Sequence, residues 1–199
     1  MKKVFIIILV LVAKTGFAQS NSNAYADSIK AYQKNYCNTH EVVKGEDRKY
    51  LNFFAPDITY KVLASFEKIN DVQGLSMPTS TKVIQQYYKY GGISFKIKDQ
   101  TYHLFVYQSK NLMLTKEYSN YLFIPFTDAS NGTETYEGGK YIDLSIQDII
   151  NDKIVIDFNK AYNPYCCYGA GYSCPIPPKE NALEVAIMAG EKKYTKTLH

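Results

Sequence analysis

The apolar residues of this chain change period at Tyr60, and that change limits what the chain can fold into. Upstream, Tyr25, Ile29, Tyr32 and Tyr36 recur at helical spacing and predict one short amphipathic helix. A further helical turn or two is expected from Gly45 to Phe54, stopped by Pro56. From Tyr60 onward, Tyr60, Val62, Ala64 and Phe66 alternate with Lys61, Leu63, Ser65 and Glu67, the period of a strand with one buried face. After a connection over Gly74–Ser80, Lys82–Tyr90 reads as a strand ended by Gly91-Gly92. Ile93, Phe95 and Ile97 then pair with Tyr102, Leu104 and Val106 through an Asp99-Gln100 turn. Tyr121–Phe126 is a short apolar strand whose Pro125 points to a strand end or sheet edge, and Ile154–Phe158 and Val185–Ala189 complete the set. Short strands with few helices predict a mainly β fold, an antiparallel barrel or sandwich with short N-terminal helices.

The first residues read differently. Met1-Lys2-Lys3, the apolar run Val4–Ala13 and the small residues Gly16 and Ala18 have the form of a secretory signal, cleaved after Ala18. The run is too short for a membrane span, which takes about 20 residues. The expected organisation is a signal peptide over 1–18, a leader and N-terminal helix over 19–39, and one β-rich domain over 40–199, periplasmic or secreted, with no transmembrane segment after cleavage. Of 23 basic residues the signal holds Lys2, Lys3 and Lys14 and no acid, leaving 20 against 19 acidic residues, a net of +1. The basicity belongs to the export signal, so nucleic acid is not an expected partner.

Cys37, Cys166, Cys167 and Cys174 all lie beyond the signal. In an oxidising compartment an even count favours disulfides, and four cysteines allow three pairings. Bridging the neighbours Cys166 and Cys167 closes a strained ring, which leaves two pairings open. Their spacing matches no common zinc pattern.

Candidate chemistry concentrates between Phe123 and Glu191. A two-residue turn at Gly138-Gly139 would set Glu134 opposite Asp143 and Tyr136 opposite Tyr141, all on one face, with Glu137 opposite Lys140. Facing carboxylates need a hard cation, a basic side chain or a shared proton. The competing arrangement is a turn one residue longer, which puts Glu134 and Asp143 on opposite faces. Asp157 and Asn159 are two apart on a strand face, followed by the turn Tyr162-Asn163-Pro164, where polar side chains brace loops more often than they bind ligands. His40 and His103 read as a polar connection and a strand surface. No phosphate loop, His-Glu-x-x-His, nucleophile elbow or Cys-x-x-Cys occurs.

The stretches Glu134-Thr-Tyr136 through Gly139-Lys140-Tyr141, Asp157-Phe-Asn159-x-Ala161-Tyr162-Asn163-Pro164-x-Cys166 and Cys174-Pro-x-Pro-Pro-x-Glu180-Asn181 resemble an uncharacterised bacterial family, a domain of unknown function. The likeness spans roughly residues 40–194 and implies no activity, cofactor or substrate. The family usually carries arginine where Lys140 stands, which weakens bidentate anion binding there. The resemblance also selects one cysteine pairing. Cys166 and Cys174 belong to the family pattern, which implies Cys166–Cys174 and Cys37–Cys167 bridges.

The functional expectation is an exported β domain that binds a small polar ligand or divalent cation through Glu134, Tyr136, Lys140, Tyr141, Asp143, Asp157, Asn159, Tyr162 and Asn163. Its alternatives are a hydrolase using paired carboxylates and a structural or interaction protein of the cell envelope. No catalytic residue, cofactor or oligomeric state follows from the residues.

Overall fold

The computed structural model describes residues 22–196; the signal-peptide reading of residues 1–18 lies outside them. Helix α1 spans 22–39 and carries the tyrosine stripe. Gly45–Tyr50 forms a 3-10 helix, and Leu51 behind it is buried. Seven strands follow: β1 Lys61–Lys68, β2 Leu75–Pro78, β3 Ile84–Ile97, β4 Gln100–Ser109, β5 Tyr121–Phe126, β6 Lys140–Ser145 and β7 Lys153–Asp157. They make one antiparallel sheet ordered β6-β5-β4-β3-β1-β7, with β2 also paired to β3. It curls into a half-barrel and is not two stacked sheets.

Alternation in β1 places Val62, Ala64 and Phe66 in the main core and leaves the intervening residues exposed. Ile93, Phe95, Leu104, Val106, Leu122, Ile124, Ile142, Ile154 and Ile156 fill the same side of the sheet. The polypeptide after β7, not a second sheet, closes this core: Phe158, Ala161, Leu183, Ile187 and Ala189 are buried in it. The opposite face has a smaller cluster of Met77, Tyr87, Tyr107, Phe123 and Tyr141. β5 is covered on both sides, which explains its unbroken apolar run.

Five local expectations are corrected. Gly91-Gly92 does not end a strand, because β3 runs through it with a bulge between Lys89 and Gly91. A Cβ at Gly91 would lie 2.4 Å from the Phe66 ring, so the glycine is there for close packing against β1. The β3–β4 turn is Lys98-Asp99, since Ile97 pairs with Gln100. The connection around Met77 is itself a short strand, β2, with Met77 buried against β3.

Pro125 is not at an edge. β5 pairs along its length with β6 and touches β4 at Tyr107–Phe123. Where proline offers β4 no N–H, the Asn181 amide fills the gap. Its Oδ1 accepts from Phe105 N at 2.7 Å, and its Nδ2 donates to Phe105 O at 2.9 Å and Pro125 O at 2.8 Å.

Val185–Ala189 bends at Val185 and belongs to no strand. Side chains hold its backbone: Ile187 N donates to Asp128 Oδ1 at 3.0 Å, and Lys140 Nζ donates to Ile187 O at 2.9 Å and Ala189 O at 3.4 Å. Alternating burial produced the strand signal without a ladder.

Candidate functional site

The acidic hairpin is not formed, and with it goes the proposed facing of Glu134 and Asp143. Residues 128–136 are a succession of turns tied together by side-chain and backbone bonds within the segment. Asn131 Oδ1 accepts from Asp128 N at 2.6 Å, and its Nδ2 donates to Tyr136 O at 2.8 Å. Ser130 O receives the amides of Glu134 and Thr135. Gly138-Gly139 does turn the chain, but Glu134 is exposed, 3.7 Å from Lys192 Nζ. The edge of β6 that the hairpin would have used meets Tyr162 instead, through two backbone bonds with Tyr141 of 2.9 and 3.0 Å.

The remaining candidates divide among five places. Lys140 points into the core with no exposed surface and pairs with Asp128 at 3.1 Å. Its three donor directions go to Asp128 and the carbonyls of Ile187 and Ala189, so it clamps the tail and has no ligand-facing role. Burial pushes its ammonium below the ordinary range, and Asp128 pulls it back up. Asp157 and Asn159 brace α1: Asp157 Oδ1 accepts from Tyr25 OH at 2.9 Å, and Asn159 binds both backbone groups of Asp57. Asn163 donates its backbone N–H to Glu191 and its side-chain amide to Lys192 O. Tyr136 lies beside Cys166, its hydroxyl 3.7 Å from Sγ.

Tyr141, Asp143 and Tyr162 stay together, in a pocket of about 630 Å³ between the C-terminal half of α1, β6 and the tail. Tyr32 and Tyr36 come from α1, Tyr165 and Tyr172 from the tail. Tyr141 and Asp143 share this face by strand alternation. The Asp143 carboxylate opens to the pocket, and its Oδ1 accepts from Tyr162 OH at 2.6 Å and Tyr121 OH at 2.8 Å. Burial raises its pKa above the ordinary carboxylate range, an effect the two phenols oppose. The charged lining residues, Asp143 and Glu41, are both acidic.

Two buried titratable groups adjoin the pocket, Glu191 behind Tyr36 and His40 in the wall itself. Glu191 has no exposed surface and accepts from Tyr168 OH at 2.7 Å, Asn163 N at 2.9 Å and Tyr36 OH at 3.2 Å. Burial pushes its carboxyl up to about 7, against the pull of those donors. Gly190 lets the chain turn in beside it: φ is 78°, and a Cβ there would lie 2.4 Å from Ala161 O. His40 Nδ1 accepts from Val42 N at 3.1 Å and Val43 N at 2.9 Å, so the proton sits on Nε2, which finds no hydrogen-bond partner among the described residues. Burial first, then Lys44, push the imidazole down to about 4. His40 is therefore neutral, packed edge-on against Tyr36 and Tyr168.

Sequence reasoning missed Tyr32, Tyr36, Tyr165, Tyr172, Asp128 and Glu191 as site groups. A helix face made of tyrosines was a usable signal for the first two, because buried hydroxyls need partners that an aliphatic stripe does not.

All four cysteines are free thiols. The partners implied by the resemblance are neighbours all the same. Cys166 N donates to Cys174 Sγ at 3.0 Å, and Cys37 packs on the small cluster that holds Cys167. Among the described residues no three His, Cys, Asp or Glu side chains gather as a metal site would require, and no helix is long and apolar enough to cross a membrane.

The solution NMR structure of an uncharacterized protein from Haloarcula marismortui is similar to this chain, with a TM-score of 0.66 and 27% identity over 89% of this chain and 99% of that one. No curated protein matches. The family model described as Protein of unknown function (DUF1684) matches residues 47–192, which include all seven strands, the buried Lys140–Asp128 pair, Glu191 and the tail wall of the pocket. The chain belongs to that family.

Proposed function

We propose that this protein binds a small organic cation, an ammonium or quaternary ammonium compound, in the tyrosine pocket. One observation carries the reading: a cavity of about 630 Å³ has tyrosine rings for walls and only acidic groups, Asp143 and Glu41, among its charged lining. The volume suits a small molecule. The face of an aromatic ring attracts a cation, by about 0.5–1 kcal/mol when exposed and about 2 kcal/mol when water is excluded. Asp143 supplies a fixed counter-charge, oriented by two phenols. This reading replaces the divalent cation of the sequence expectation with an organic one. The paired-carboxylate hydrolase loses its pair, because Glu134 and Asp143 lie apart. Export, with the mature chain starting at Gln19, belongs to the same proposal and rests on residues 1–18.

The test is calorimetric titration with tetramethylammonium, a choline-type alcohol and a primary amine, set against a neutral isostere of the same shape and a small carboxylate. The cations should bind. Asp143→Asn should weaken them at least tenfold while leaving melting temperature near that of the parent, because Asp143 lines the cavity and is not in the core. Affinity should fall as pH drops and Asp143 takes up a proton. Equal binding of the neutral isostere would overturn the reading.

A further inference from the structure

A second cluster with chemistry of its own borders the pocket. Cys174 is 8% exposed and lines the cavity; Cys166 is half-buried and more accessible. They are joined by a loop whose Gly169 and Gly171 have nothing within 4 Å of where a side chain would start. The resolving side is held firmly. Cys174 N donates to Ser80 Oγ at 3.1 Å, Ser80 N donates to Cys174 O at 2.9 Å, and Thr79 bridges Pro175. The two sulfurs are neighbours, since Cys166 N donates to Cys174 Sγ at 3.0 Å, and the Tyr136 hydroxyl lies 3.7 Å from Cys166 Sγ. Donors directed at a sulfur stabilise a thiolate. A permanent disulfide carries no charge for them to stabilise.

We propose that Cys166 and Cys174 form a thiol–disulfide exchange centre for small disulfides, with Cys166 as the attacking sulfur and Cys174 as the resolving one. The Cys166 thiolate attacks one sulfur of a disulfide R–S–S–R. That S–S bond breaks, one RS⁻ leaves and takes a proton, and Cys166 remains joined to the other half. Cys174 then gives up its proton, and its thiolate attacks Cys166 Sγ and displaces the second RS⁻. Two protein thiols are oxidised to one disulfide, and one external disulfide is reduced to two thiols. The electrostatics divide the roles in the same sense. The Cys174 thiol, donating to Cys166, holds the Cys166 thiol down at about 6, whereas Cys174 is pushed up, first by that same bond. Cys167, next in sequence, is pushed up to about 12, chiefly by burial, and does not compete. This centre does not depend on the ligand proposed for the pocket.

The test treats the reduced full chain with glutathione disulfide and maps adducts by mass. The parent should pass to a Cys166–Cys174 bridge without lasting adduct, and Cys174→Ser should accumulate glutathione on Cys166. Cys166→Ser should react at Cys174 more than tenfold more slowly. In the unmutated protein, iodoacetamide labelling of Cys166 should level off above about pH 7 while labelling of Cys167 is still climbing at pH 9, a readout that needs no variant to fold. Preferred adducts on Cys37 or Cys167 would overturn the proposal. So would equal labelling of Cys166 and Cys167 at every pH, or a native Cys166–Cys174 bridge that dithiothreitol does not reduce.

Discussion

Tyr36 stands between two buried groups whose ionisation works in opposite directions. On one side it donates to Glu191; on the other its ring meets His40 at 5.1 Å. Glu191 is raised from 4.5 to about 7. Between those values the folded chain keeps a proton that the unfolded chain has released, so this group's stabilisation is full at low pH and is lost as pH rises to 7. His40 is lowered from 6.5 to about 4. There the unfolded chain holds the extra proton, so stability from His40 is full above 6.5 and is lost as pH falls toward 4. The two contributions oppose each other across most of the same window. Glu191→Gln should therefore give a stability curve that rises more steeply with pH between 4.5 and 7 than the parent's. His40→Asn, whose Oδ1 can still accept the Val43 amide, should flatten the rise between 4 and 6.5. Urea unfolding at fixed pH values measures both, and parallel curves for parent and variants would refute the assignment. Neither group was legible as a site in the sequence. Glu191 follows an Ala-Gly pair and His40 the polar end of α1, and nothing local signals that the chain buries both.

At the level of elements, local period told the truth about burial and less about pairing. The stripe on α1 and the alternation in β1 were readable because each depends on residues within one turn or one pleat. Because its proline lacks a donor, β5 reads as ending at Pro125 or lying at a sheet edge, and Pro125 does stand next to its end. It is interior because Asn181, 56 positions away, supplies an amide where the ladder fails. The Gly138-Gly139 turn was legible, but the absence of a strand before it was not, since the Asn131 side chain and the Ser130 carbonyl satisfy that backbone instead of a ladder. Asn181→Ala should thus act on the β4–β5 seam. It leaves the Phe105 amide and carbonyl without their partner and takes a donor from Pro125 O, and should cost about 1–3 kcal/mol in denaturant unfolding. Hydrogen exchange should quicken at Phe105 more than in β1. Unchanged protection at Phe105 would show that the strands can close without the amide.

For the whole molecule, the decisive contact is Lys140 with Asp128, because it pins the tail across the open side of the half-barrel. Lys140→Met would leave a buried carboxylate and two carbonyls without their cation. It should destabilise the fold by about 3–5 kcal/mol, the usual result of removing one partner of a buried pair. Pairing it with Asp128→Asn, whose Oδ1 can still accept from Ile187 N and Ser130 N, should recover part of that loss, since no charge is then stranded; a double variant no better than the single would locate the cost in the lost carbonyl contacts and packing instead. Equilibrium unfolding of the two variants decides between them.

The closing role of the tail also bears on how such a chain is made. When β7 has left the ribosome, every strand is present, yet Leu183, Ile187 and Ala189 are still missing from the core they complete. Glu191, which joins α1 from 155 positions away, is missing too. The fold cannot be completed in steps as synthesis proceeds, and contacts so distant in sequence close slowly. Throughout that interval the apolar β5 has one uncovered face, the kind of exposed surface that makes an incomplete chain prone to aggregate until its tail docks.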